Sequence, residues 1–209
     1  MGPKNPRTPQ GPLDITSGDI VLSSAPVWRI HTVQGGHSAA WNEFREFGPV
    51  VSMRWDPHAE PCGQHPGCGV LYTAENPDTV FAEVFQSVRT IGLTSDRLLT
   101  AWTPVRQLEL LDLMPGSDWA VRHGASASLP QTPRNTCRNW AREIHRQLAP
   151  DIDGIRVPST MTADAMIVLF VRAMSALPTD PDFSRPLTHP AVQVLAARAS
   201  DRFSWDFLD

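Results

Sequence analysis

The spacing of apolar and polar positions changes several times along the chain, and each change marks an element. Ile20-Val21-Leu22, Val27-Trp28-Arg29-Ile30-His31, Val50-Val51-Ser52-Met53-Arg54 and Val70-Leu71-Tyr72-Thr73 are short runs rich in β-branched and aromatic residues, set between turn formers, and they predict strands. A helix is predicted after Tyr72. Asn76 can cap it, Pro77 suits its first turn and Asp78 complements the positive end of its dipole. Its apolar stripe is Val80, Phe81, Val84, Phe85 and Val88. Glu83 lies at a flank of that stripe, where it can reach a cleft edge. Residues 98–102 and 108–113 predict further strands, and a helix over 133–148 carries Trp140, Ile144 and Leu148 four apart. A short strand at 155–157, a buried run at 165–171, a helix over 191–198 and an alternating edge strand at 203–207 complete the pattern. The order is mixed, with no repeat and no regular βαβ alternation, so the predicted class is α+β.

Composition narrows the function classes. With 209 residues the chain is most simply one domain. Residues 1–18 hold four prolines and almost no apolar periodicity, which predicts a flexible Pro-rich tail before a domain over 19–209. The net charge of −4 leaves no basic footprint, so direct nucleic-acid binding is not expected. The run 165–171 is too short to span a bilayer, so no membrane partner is expected. Three cysteines at irregular spacing fit a reducing compartment, and no leader pattern opens the chain, so a cytoplasmic location is expected.

Four residues carry the candidate chemistry. Tyr72, the only tyrosine, ends a strand just before the helix that bears Glu83, and Arg54 ends another β-prone stretch. Arg29 and Arg54 offer planar forks that match phosphate oxygens, although most arginines pair with surface acids. A carboxylate on an apolar helix suits stabilisation of positive charge at an anomeric carbon, the logic of glycosidase acids. Cys62, His65 and Cys68 share a Pro/Gly-rich loop with His58 and invite a zinc hypothesis, but their spacing matches no common paired-ligand pattern. No nucleophile elbow, Walker loop or dinucleotide fingerprint is present.

In order, Val27-Trp28-Arg29, Arg54-Trp55-Asp56-Pro57, Leu71-Tyr72-Thr73-Ala74 and Phe81-Ala82-Glu83-Val84 resemble the motifs of RES-domain proteins. The likeness continues through 119–126, 136–144 and 153–159, and covers about residues 25 to 190. It implies a compact fold similar to ADP-ribosyltransferase toxins, with central mixed or antiparallel strands flanked by helices. NAD would be the substrate and no prosthetic group would be needed. Many relatives are toxins of toxin–antitoxin pairs, neutralised by an Xre-like antitoxin. By motif, Arg29 and Arg54 would grip the diphosphate, Tyr72 would stack near the nicotinamide and Glu83 would stabilise the ribosyl cation. The family's serine is left open among Thr136, Ser159 and Ser126. The expected activity is cleavage of the nicotinamide–ribose bond by phosphorolysis or hydrolysis. Alternatives are protein ADP-ribosylation and a non-catalytic binding module with a zinc loop. Asp56 stands where asparagine is common, and the loop 57–68 is long.

Overall fold

The structure, a computed structural model, describes residues 4–208. Strands β1 (Ile20–Ser23) and β2 (Val27–Thr32) are followed by the short pair β3 (Phe47–Gly48) and β4 (Gly63–Gln64), then β5 (Val70–Ala74). Helix α1 (Pro77–Phe85) leads into β6 (Thr90–Gly92), β7 (Arg97–Trp102) and β8 (Leu108–Asp112). Helices α2 (Trp119–Arg122) and α3 (Arg134–Leu148) precede β9 (Gly154–Pro158), β10 (Ala165–Phe170) and β11 (Phe183–Pro186). Helix α4 (Pro190–Phe203) and β12 (Asp206–Leu208) end the described chain. Eight strands form one sheet in the order β1-β8-β9-β10-β5-β2-β7-β11, parallel at β8–β9 and antiparallel elsewhere. The class is α+β with a central mixed sheet flanked by helices, as the element order predicts.

The helices divide one face of the sheet between them. Trp140, Ile144 and Leu148 of α3 are buried against Ile155, Val157, Val168 and Phe170. On the other half of that face, Phe81 of α1 and Val192 and Ala196 of α4 pack over Ala74, Trp28 and Ile30. Side chains two apart share a side of a strand. Tyr72, in the α3 cluster, and Ala74, in the α1 cluster, therefore put both helices on the same face, with their seam over β5. Val27, Leu71, Trp102, Ile167 and Leu169 fill the opposite face beneath Trp41 and Phe44. Gly154 is required where β9 meets β10: a Cβ there would meet the Val168 carbonyl oxygen at 2.2 Å.

Four expectations are corrected. Residues 50–54 make a turn, not a strand. The Val50 N–H is taken by the Asp56 carboxylate (2.7 Å) and the Met53 N–H by the Val50 carbonyl (2.9 Å), so local acceptors replace a ladder. Helix α1 stops at Phe85, so Val88 leaves its stripe and is exposed, as is Val84. The last helix runs on to Phe203, and β12 pairs parallel with β6, outside the main sheet. The segment expected as a mobile tail is, over 4–18, laid against the helices. Trp140 Nε1 donates to the Pro6 carbonyl (2.9 Å), Trp119 Nε1 donates to the Asp14 carbonyl (2.8 Å), and Leu13 is buried in the α3 cluster. Buried indole N–H groups need acceptors, and this segment supplies them. Among the described residues no helix is long and apolar enough to cross a membrane.

Candidate functional site

Ser159 follows β9 and begins the turn into β10. Its Oγ accepts the Met161 and Thr162 N–H groups (3.0 and 3.1 Å) and donates its proton to Glu83 Oε1 at 2.6 Å. That length lies at the charge-assisted end of the O–H···O range. Of the three hydroxyls left open by the sequence, Ser159 is the one bonded to Glu83. The second Glu83 oxygen, Oε2, accepts from Gln86 Nε2 at 3.2 Å. The turn is pinned to α1 from behind. Thr79 and Thr162 share a hydroxyl bond (2.9 Å), and Arg202 of α4 bridges Asp78 and Asp164 at 3.1 Å each. Within it Ala163 holds φ at 63°, a left-handed conformation costly for a residue with a Cβ.

Across the seam, the start of α3 and the turn that carries Arg54 together present three guanidinium groups. Arg54 Nη1 donates to the Thr132 carbonyl and lies 3.6 Å from Cys137 Sγ. Arg138 donates to the Val51 carbonyl (2.9 Å), and Arg134 Nη2 donates to Gln86 Oε1 (3.4 Å). Among the described residues none of these three has a carboxylate within 4.0 Å, whereas Arg106, Arg156, Arg172 and Arg202 all do. Positive charge held only by neutral oxygens, beside a helix N-terminus, is available to an anion. Tyr72 lies on the same face. Its hydroxyl is buried without a hydrogen-bond partner, and burial, helped by the charge of Asp56, raises its pKa so that it stays protonated. The charge of Arg45 and the Trp55 backbone oppose that rise without reversing it.

The expected pairing of the Arg29 and Arg54 forks on one diphosphate is not what the structure builds. Arg29 alternates with Trp28 and Ile30, which face α1, and so points with Val27 to the opposite side of the sheet. There Nη1 donates to the Trp41 carbonyl (2.8 Å) and Nε has no partner; desolvation draws its pKa down to about 10, against the pull of Glu43. Thr136 is buried in the first turn of α3, near the arginines but without a bond to Glu83. Ser126 is remote from Glu83, bonded to Asn5 (3.0 Å) and Ser128 (2.8 Å). Sequence reasoning missed Gln86, Arg134 and Arg138. The available signal was spacing: Gln86 falls one helical turn after Glu83, and the two arginines are four apart on one face of α3.

The loop 57–68 is fastened at its start by hydrogen bonds between His58 and Asp56. Burial opposes ionisation of Asp56, but hydrogen bonds from His58 and the Val50 N–H, with the charge of Arg45, outweigh it and lower its pKa. The charge gained where asparagine is common is thus spent within the loop. Cys62 is exposed, and Cys68 lies 3.8 Å from His145 Nδ1 with its thiol pushed up to about 11 by burial and by Asp56. Among the described residues no three His, Cys, Asp or Glu side chains are grouped to hold a metal ion. Two surface hollows, of about 360 Å³ beside His145 and Arg146 and about 540 Å³ beside Arg106 and Glu109, lie away from Glu83 and Ser159.

A model of the RES domain matches residues 26–191. Among solved structures, the chain is similar to one in the crystal structure of the M. tuberculosis MbcT–MbcA toxin–antitoxin complex. The identity is 17%, the TM-score is 0.55, and the match covers 85% of this chain and 92% of that one. At that identity the likeness concerns the fold. No curated protein matches the chain.

Proposed function

The chain belongs to the RES-domain family, and on that premise we propose that it cleaves the nicotinamide–ribose bond of NAD, as a toxin held in check by a protein antitoxin. The observation that carries the reading is the 2.6 Å Ser159–Glu83 bond, joined through Gln86 to Arg134, which has no carboxylate partner among the described residues. Arg54, with Arg134 and Arg138, holds the diphosphate, and Tyr72 lies beside the nicotinamide. The C1′–N bond breaks and nicotinamide leaves with the electron pair, which cancels its ring charge. Glu83, oriented by Ser159, meets the positive charge that grows on the ribose. An oxygen of inorganic phosphate or of water then bonds to C1′, with loss of a proton where water is the acceptor. Arg29, on the far side of the sheet, supports the loop at Trp41 in this scheme. That the similar M. tuberculosis chain was solved in a toxin–antitoxin complex supports the antitoxin part of the proposal.

Purified protein incubated with NAD, with and without phosphate, is expected to release free nicotinamide. Glu83→Gln is expected to lower the rate at least about a hundredfold, since it removes the charge but keeps the shape. Folded wild-type protein that releases no nicotinamide with phosphate, water or a polypeptide acceptor overturns the reading. Label transferred from NAD to polypeptide instead identifies protein ADP-ribosylation.

A further inference from the structure

Gln86 links the two walls of the seam by hydrogen bonds. It caps the C-terminal end of α1, half-buried; its Nε2 donates to the Glu83 backbone carbonyl (2.8 Å) and to Glu83 Oε2 (3.2 Å), while its Oε1 accepts from Arg134 Nη2 (3.4 Å). Arg134 is the first residue of α3 and is exposed, without a carboxylate partner among the described residues. The path Ser159–Glu83–Gln86–Arg134 therefore runs from the turn after β9, over α1, to the cationic wall. The Arg134–Gln86 bond is long for a guanidinium donor and sits in water, so a better acceptor takes the arginine from it. A phosphoryl oxygen is such an acceptor, because it offers full charge and a matching fork.

We propose that Gln86 is a positioning residue for Glu83 and that it forms, with Arg134, a crosspiece which the anionic part of the substrate opens. The inference rests on the proposed NAD-cleaving reading. When a diphosphate draws Arg134 away, the Gln86 amide keeps its bonds to Glu83 alone, to the backbone carbonyl and to Oε2, while Ser159 holds Oε1. Binding at the anion end is thereby coupled to orientation of the carboxylate that meets the ribosyl charge. Arg134 belongs to binding; Gln86 belongs to the chemical step.

ADP-ribose is the binding probe, because it carries the diphosphate and lacks the bond to be cleaved. Arg134→Gln is expected to weaken ADP-ribose affinity by calorimetry about tenfold, the lower end for a charged hydrogen bond at an exposed site, and to raise KM with kcat little changed. Gln86→Met, which keeps length and removes both polar atoms, is expected to lower kcat about tenfold while leaving ADP-ribose binding unchanged or tighter, since Arg134 is released in advance. Weaker binding in Arg134→Gln without any loss in Gln86→Met distinguishes a crosspiece from general loosening, which would weaken both variants. In the double variant the two changes in binding should not add. Unchanged ADP-ribose affinity in Arg134→Gln, or weakened affinity in Gln86→Met with an unaltered melting temperature, overturns the crosspiece. Because Arg134 is exposed, that variant keeps the test alive if Gln86→Met folds poorly. Failure of the wild type to release nicotinamide would instead strike the underlying reading, since ADP-ribose binding is measured separately.

Discussion

Ser159→Ala tests whether the candidate carboxylate depends on its neighbour. In the folded chain the hydroxyl makes three bonds: one given to Glu83 at 2.6 Å and two accepted, from Met161 and Thr162 at 3.0 and 3.1 Å. Ser159 is only 1% exposed, so water cannot readily replace Oγ for the two amides. Leaving buried donors without acceptors costs about 2 kcal/mol in total, within the range for such groups, and in a chain of this length that lowers Tm by about 4–8 °C. The kinetic consequence is separate. A hydrogen bond to a charged group is worth about 1.5–3 kcal/mol, so if it matters most when positive charge develops on the ribose, kcat/KM falls about 10- to 100-fold. Initial rates of nicotinamide release across NAD concentrations, alongside thermal melts, measure both. Ser159→Thr keeps the hydroxyl and should recover the rate to within several-fold. A folded Ser159→Ala enzyme with wild-type kcat/KM would refute the claim that this bond prepares Glu83.

Acid sensitivity follows from the buried aspartates. Asp153 accepts from Arg106 and from the Glu109 N–H and faces Arg172; although burial opposes ionisation, these contacts prevail and its pKa is lowered, as is that of Asp56. A lowered folded pKa gives stability that is complete above the unfolded value, about 4, and is lost as pH falls through the folded one. The urea midpoint should therefore hold near neutral pH and drop below about pH 4, with a smaller acid drop in Asp153→Asn; an identical pH profile for that variant contradicts the assignment. Asp153→Asn should also cost about 2–3 kcal/mol at pH 7, since two partly solvated guanidinium groups lose their partner. Deleting residues 1–16 removes Leu13 and the acceptors of two indole N–H groups, about 3 kcal/mol, so Tm should fall by about 6–12 °C; an unchanged Tm means that the segment is not docked in solution.

The sequence by itself determined what depends on neighbours a few residues apart. The Asn76 cap, the fourfold spacing of Trp140, Ile144 and Leu148, and the apolar, β-branched runs of β2, β5 and β10 are local signals. Each names an element before its surroundings are known. The ordered motifs around Arg54, Tyr72 and Glu83 likewise pointed to the family without coordinates. Local signals failed where a competing side chain or a partner far along the chain decides. Residues 50–54 look like a strand, yet Asp56 captures their backbone and no neighbouring strand competes for it. The segment 4–18 looks free, yet two buried tryptophans of later helices need its carbonyls. The site shows the same division. Strand alternation says that Arg29 opposes Trp28, but only the placement of α1 over Trp28 turns Arg29 away from Glu83. Three hydroxyls were equivalent on paper; the β9–β10 turn brings Ser159 alone onto the carboxylate, because Thr79, Asp164 and Arg202 fix that turn against α1. Contacts between residues 76 positions apart follow from how helices and strands pack, and no periodicity in the chain encodes them.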